Sequence, residues 1–174
     1  MSVKDSKASK PAFLGLLAAL SLAVLFLAGV SPTGRLSLTA LSGLAVAAAV
    51  LKTGLGGGFL CWAAVSILGV ALLPSKSCAA LYAVLFGLYP AIKSLIERLG
   101  RLWLEWALKL LFFLAAMTLC VLALKGLFSE EVFAVAFDKL ALAYPVGCAA
   151  FVLYDLAFTG LIRIYLNRVP GARG

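Results

Sequence analysis

The residues that could carry chemistry in this chain are few and widely separated. Its four cysteines, Cys61, Cys78, Cys120 and Cys148, are placed singly, and it contains no histidine. A zinc or haem site needs clustered Cys and His ligands, and a disulfide framework needs cysteines in patterned pairs, so neither is predicted. We expect these cysteines to be small apolar packing residues, and we expect no metal ion and no cofactor.

Asp155 is the one acidic residue deep inside a long apolar stretch, 140–165. A bare carboxylate at the centre of a membrane helix costs about 2.5–3.5 kcal/mol on insertion scales, so this one must be protonated, paired or facing water. It is either part of a proton- or substrate-linked site, or a structural group hydrogen-bonded to a tyrosine or to Thr159. Lys93 and Lys109 are the candidate cations on the cytoplasmic side, but both are expected at a shallower depth.

A second group of polar and aromatic residues is predicted to converge at the outer mouth of the bundle. Arg35, Tyr82, Asp138 and Tyr144 make it up, and with Asp155 they are the candidate ligand-binding residues. Aromatic and charged side chains at one end of a bundle can form a small-molecule pocket. Tyrosines at that level also act simply as membrane-interface anchors, and both interpretations remain open.

No pattern in the chain predicts catalysis. The glycine-rich segment 54–58 (GLGGG) lacks the Gly-Lys-Ser/Thr ending of a phosphate-binding loop. An enzyme within a membrane would need paired carboxylates, a Ser/His arrangement or a metal cluster, whereas Asp155 is isolated in sequence. We therefore predict that the protein is not an enzyme.

The composition places these residues in a membrane protein. Of 174 residues 64% are hydrophobic and only 13% are charged, whereas soluble domains are nearer half apolar and a quarter charged. The net charge of +8 forms no basic stripe, so nucleic acid is not a predicted partner. A lipid bilayer is a predicted partner, because it solvates the excess apolar surface. The predicted location is the cell (plasma or inner) membrane.

Gly, Pro and charged residues separate six apolar stretches of the chain. They predict an all-α, polytopic transmembrane helix bundle at 12–168, between cytoplasmic tails at 1–11 and 169–174. The predicted spans are 12–30, 36–51, 55–73, 78–95, 108–128 and 140–165.

Counting Lys and Arg between alternate spans predicts that both termini are cytoplasmic. Eleven of the 15 basic residues fall on one side: Lys4, Lys7, Lys10, Lys52, Lys93, Arg98, Arg101, Lys109, Arg163, Arg168 and Arg173. The other side receives Arg35, Lys76, Lys125 and Lys139.

The segment between spans four and five is predicted to be an amphipathic interfacial helix. Glu97, Arg101, Glu105 and Lys109 recur every four residues with alternating sign, which allows i,i+4 ion pairs along one helical face. It is either a solvated connector or, through Arg98 and Arg101, a docking surface for a cytoplasmic or membrane partner.

Small residues recur four positions apart along the first two predicted spans. Ala19 with Ala23, and Ala45 with Ala49, let neighbouring helices approach closely. These pairs serve either packing within the bundle or a face for a partner membrane protein.

The chain combines six predicted spans in a short length with an alanine-rich first part and with the segments 33–35 (TGR), 54–58 (GLGGG) and 86–90 (FGLYP). This layout resembles that of the substrate-binding S components of energy-coupling factor (ECF) vitamin transporters. The resemblance implies a vitamin-type micronutrient captured from outside by the later helices. It also implies an Ala-x-x-x-Ala face, here Ala19 with Ala23 or Ala45 with Ala49, that meets a transmembrane coupling protein with ATPase subunits.

The alternative is a non-catalytic assembly protein of the rod-shape-determining integral membrane type. Such a protein has a similar size and number of spans. Its partners would be other membrane proteins, and it would need no small-molecule cavity.

Overall fold

The computed structural model describes residues 9–125 and 140–168, and all of the regular structure in those ranges is helical. The prediction of an all-α chain is therefore confirmed for them. Two compact units divide the chain, an N-terminal unit, Met1–Leu95, and a C-terminal unit, Ile96–Gly174. The helices are α1 (Ser9–Val30), α2 (Arg35–Ser42), α3 (Leu44–Leu72), α4 (Lys76–Leu81), a π-helical turn (Tyr82–Phe86), α5 (Tyr89–Ile96), a 3-10 turn (Glu97–Leu99), α6 (Leu102–Lys125) and α7 (Leu140–Arg168).

Five helical stretches of the described chain are long and apolar enough to cross a membrane. They are Lys10–Val30, Arg35–Leu72, Lys76–Leu99, Leu102–Leu122 and Tyr144–Ile164. The second contains 38 residues, about twice the 20 or so that one crossing needs. It joins the predicted second and third spans into one stretch.

Gly54 divides this long stretch into two helices that run in opposite directions. Its φ of 81° and ψ of −178° are open to glycine alone among the residues, and interrupt α3. A Cβ placed on Gly58 would collide with the side chain of Val50, although eight residues of straight helix would rise about 12 Å. The chain therefore folds back at Gly54, and 55–72 packs beside the helix that precedes it.

Contacts inside the N-terminal unit show that its four apolar passes alternate in direction. Arg35 Nε donates to the Ser31 carbonyl at one end of the unit, and Lys52 Nζ lies 4.2 Å from the centre of the Phe13 ring at the other. The second half of α3 then returns to the first end, where Pro74 lies beside Gly29. The fourth segment runs back from that end, because Tyr82 lies beside Ser21, eight residues before Gly29 on α1. The buried residues that form the core are Leu25, Val46, Ala49, Cys61, Val65, Leu73, Ala79 and Tyr82.

In the C-terminal unit α6 and α7 pack antiparallel in a regular register. The Phe113 and Phe151 rings stack with centroids 4.7 Å apart. Four residues further along α6, Met117 lies against Gly147, four residues back along α7. Steps of about one turn on each helix keep the same faces in contact.

The predicted interfacial helix is wrong in its detail, because the chain breaks inside it. Gly100 has the left-handed φ of 65° that ends a helix, and α6 begins two residues later. Glu97 is therefore not on the same helix as Glu105 and Lys109, so the predicted row of four charges does not exist. Lys109 pairs instead with Glu97.

Candidate functional sites

A break between α2 and α3 frees a backbone carbonyl in the middle of the N-terminal unit. At Gly43 the helix tightens, so that the Val46 N–H donates to the Gly43 carbonyl three residues back, at 3.1 Å. An α-helical bond would have gone to Ser42. The Ser42 carbonyl accepts instead from the Ser21 hydroxyl of α1, at 3.0 Å, so a polar side chain of another helix replaces the missing bond.

A second break, at the π-helical turn Tyr82–Phe86, lies opposite Gly43, and Pro90 explains it. Proline has no N–H, and its ring displaces the carbonyl four residues earlier, here that of Phe86. The chain responds with the π-helical turn, in which the Gly87 N–H donates to the Tyr82 carbonyl at 2.7 Å. The Phe86 carbonyl comes so close to Gly43 that a Cβ there would collide with it, and the two breaks are therefore in direct contact.

Buried hydroxyl groups gather where the two breaks meet. Ser21, Thr39, Ser42 and Tyr82 are all buried, and we call them the polar cluster. Ser21 Oγ lies 3.4 Å from the Tyr82 hydroxyl, and the Ser42 hydroxyl donates to the Thr39 carbonyl at 2.6 Å. The cluster thus joins α1 to both interrupted helices.

The polar cluster lies at mid-length of the passes that build it. Ser21 is one residue from the centre of Lys10–Val30, and Gly87 is close to the centre of Lys76–Leu99. Gly43 is midway between Arg35 and Lys52, where the second pass runs. In a membrane the cluster would therefore lie near the bilayer midplane.

The C-terminal unit holds a buried ion pair between its two long helices. Lys109 Nζ of α6 lies 3.1 Å from Asp155 Oδ2 of α7 and 3.0 Å from Glu97 Oε1. The side chains of Lys109 and Asp155 are 6% and 3% exposed, whereas that of Glu97 is 42% exposed. The Trp106 ring centre lies 5.6 Å from the ammonium, so one cation bridges a buried and a half-exposed carboxylate beside an aromatic ring.

The structure thus pairs Asp155 with Lys109, which the sequence analysis had placed at too shallow a depth in the membrane. Lys109 is seven residues inside α6, because this helix begins at Leu102 and not at the predicted 108, and seven residues rise about 10 Å. The hydroxyl of Thr159 donates to the backbone carbonyl of Asp155. Lys93 is also buried, so neither Lys93 nor Lys109 is the surface flanking cation that the orientation count assumed.

The predicted ligand-binding residues fall in both units. Arg35 is exposed, and Tyr82 belongs to the polar cluster. In the C-terminal unit the Tyr144 and Thr118 hydroxyls are 3.1 Å apart, three turns along α7 from Asp155. Asp138 lies outside the described residues. A pocket that joins these residues stays a prediction.

Sequence reasoning missed Ser21, Ser42 and Glu97 as partners of the predicted residues. One usable signal was present, since Ser21 is the single polar side chain in the run 12–30. The pairing of Lys109 with Glu97 had no such signal, because it depends on the turn at Gly100.

The small-residue stripes divide between core and surface. Ala45 and Ala49 are buried inside the N-terminal unit, where packing within the unit occupies them. Ala19 and Ala23 are exposed, as are Arg98 and Arg101. A partner face therefore remains a prediction for these exposed residues.

No protein-family model, curated protein or solved structure matches the chain. The likeness to ECF S components accordingly rests on layout and on the segments named above.

Proposed function

We propose that this protein is a multi-pass protein of the cell (plasma or inner) membrane that binds a small solute as the substrate-binding subunit of an uptake transporter. A vitamin-type micronutrient is the substrate class that the resemblance implies. The observation that carries the proposal is the contact between two interrupted helices around Ser21.

Interrupted helices are costly inside lipid. Backbone groups there must be satisfied within the protein, and non-helical backbone occurs at membrane depth where it is buried in protein or lines a cavity. The interruptions here are a tightened turn at Gly43 and a π-helical turn before Gly87, and both glycines keep helical backbone angles. Such π-turns are frequent at functional sites, and in transporters fully unwound helices near the midplane supply carbonyls and helix ends to a bound solute or ion. The Ser42 carbonyl, which accepts from the Ser21 hydroxyl instead of from the backbone, and the Ser21 and Tyr82 hydroxyls are polar groups that a solute could engage in the same way.

The proposed topology has six passes with both termini in the cytoplasm. Four alternating passes in the N-terminal unit and two antiparallel helices in the C-terminal unit support it. We expect reporter fusions at the two ends to give the same cytoplasmic signal, for example fluorescence of a protein that matures only there. A fusion after Lys76 should give the opposite signal. Reporters at the two ends that give opposite signals would contradict an even number of passes.

Removing the central hydroxyl should release a bound solute. Ser21→Val replaces the Ser21 hydroxyl with an apolar group of similar size, and the loss of a solute hydrogen bond of about 1–1.5 kcal/mol corresponds to about tenfold in affinity. The variant also leaves the buried Ser42 carbonyl without its donor, so the melting temperature is measured alongside to show that the protein is still folded. We expect small molecules released from the purified protein, measured by mass spectrometry, to fall about tenfold. The control is Ser37→Val, at an exposed serine of α2. Equal retention by both variants would exclude the polar cluster as the solute site.

The alternative, a membrane assembly protein, is supported by the hydrogen bonds that the cluster hydroxyls already make to one another and to the backbone. Such a cluster can simply hold three helices together. The partners would then be other membrane proteins, and the exposed Ala19 and Ala23 would be the surface offered to them. A compound enriched in the wild-type protein and lost in Ser21→Val favours the transporter subunit over this alternative.

A further inference from the structure

The turn that leads into α6 exposes a large apolar surface next to two cations. Trp103 is 92% exposed and Leu102 is 73% exposed, and both begin α6. Arg98 and Arg101, on either side of Gly100, are also exposed. A tryptophan exposed to this extent is costly in water, whereas the headgroup level of a membrane accommodates both its ring and its N–H.

Trp103 also lies at one end of an exposed, mostly apolar face of α6 that is suited to contact lipid. Every third or fourth residue after it is exposed, and these residues lie on one side of the helix: Ala107, Leu111, Leu114, Thr118 and Leu122. The opposite side holds the buried residues Lys109, Phe113, Ala116 and Cys120. If acyl chains cover the exposed stripe, the headgroups of the same lipids come to lie at Trp103 and the arginines.

The charges at this turn favour an anionic headgroup. Glu97 accepts from Lys109 Nζ at 3.0 Å, so its carboxylate is directed to the buried ion pair. Glu105, the other nearby acid, is only partly exposed. Two exposed guanidinium groups remain at the turn, and guanidinium groups bind phosphate oxygens in bidentate fashion.

We infer that Arg98, Arg101 and Trp103 form a binding site for an anionic phospholipid of the cytoplasmic leaflet. The arginines contact the lipid phosphate, Trp103 lies at the glycerol level, and the exposed stripe of α6 carries the acyl chains. The inference rests on the membrane topology proposed above and is independent of the solute at the polar cluster.

Native mass spectrometry of the full chain in nanodiscs tests this site. With equal amounts of phosphatidylglycerol and phosphatidylcholine, we expect the wild-type protein to retain phosphatidylglycerol preferentially. The double variant Arg98→Gln/Arg101→Gln should lower that preference about tenfold or more, since each Lys or Arg near an anionic membrane surface contributes substantially to the binding affinity. The matched control Arg35→Gln/Lys76→Gln removes the same charge from exposed positions at the end of the N-terminal unit where Ser31 and Pro74 lie.

Two results would overturn the inference. One is a wild-type protein without preference for phosphatidylglycerol, and the other is an equal loss in the control, which would indicate net charge alone. A second measurement uses brominated phosphatidylglycerol, which should quench the wild-type fluorescence more than that of Trp103→Phe. Undiminished quenching in that variant would remove Trp103 from the site. Failure of the solute experiment leaves these readouts unchanged, so the two proposals fail separately.

Discussion

Lys109→Leu is expected to destabilise the protein strongly, because it removes the ammonium that lies 3.1 Å from the buried Asp155 carboxylate. Removing one partner of a buried ion pair typically costs about 3–5 kcal/mol. At roughly 2–4 °C per kcal/mol for a chain of this size, the melting temperature should fall by about 6–20 °C. A thiol-reactive fluorogenic dye measures this in detergent, because Cys61, Cys78 and Cys120 are buried in the folded chain.

The double variant Lys109→Leu/Asp155→Leu separates a structural role of the pair from a functional one. Replacing both charges with apolar residues is often neutral or stabilising, so we expect most of the lost stability to return. Glu97→Gln is the matched control for the second carboxylate. Its side chain is 42% exposed, and exposed pairs contribute about 0–1 kcal/mol.

The outcomes for this pair have distinct meanings. A Lys109→Leu variant as stable as the wild type would contradict the buried pair. A double variant that is stable but no longer retains a solute would assign the pair to function. A double variant that is stable and retains the solute would make the pair a structural link between α6 and α7.

The amino-acid sequence predicts the helices of this fold well because their signal is local. Long apolar runs and turn residues locate α1, α6 and α7 to within several residues. Gly54 was predicted as a turn between two spans, and it is the position where the chain reverses. Local composition is sufficient for each of these features.

The sites were harder to predict because they depend on contacts distant in sequence. Ser21 and Tyr82 are 61 residues apart, and Lys109 and Asp155 are 46 apart. The four-residue charge pattern at 97–109 predicted pairs on one helix, but a single left-handed glycine, Gly100, redirected Glu97. Helical periodicity cannot anticipate a pairing that a turn creates.

The close contact between the two helix breaks makes Gly43→Ala a sharp test of the N-terminal unit. Gly43 has helical backbone angles, φ −63° and ψ −21°, so alanine is conformationally acceptable there and would by itself add roughly 0.5–1 kcal/mol of stability. Its Cβ, however, would collide with the backbone carbonyl of Phe86. A backbone atom cannot rotate away as the end of a side chain can, and overpacking typically costs about 1–3 kcal/mol.

Gly56→Ala supplies the matched control, because that glycine is also helical and its Cβ would meet nothing within 4 Å. We expect changes of opposite sign: a lower melting temperature for Gly43→Ala and an equal or higher one for Gly56→Ala, both measured with the same thiol dye. Equal stabilisation by the two alanines would mean that α2–α3 and the Pro90 break are not in contact. The polar cluster would then lose the geometry that brings Ser21, Ser42 and Tyr82 together, and the proposed solute site would lose its structural basis.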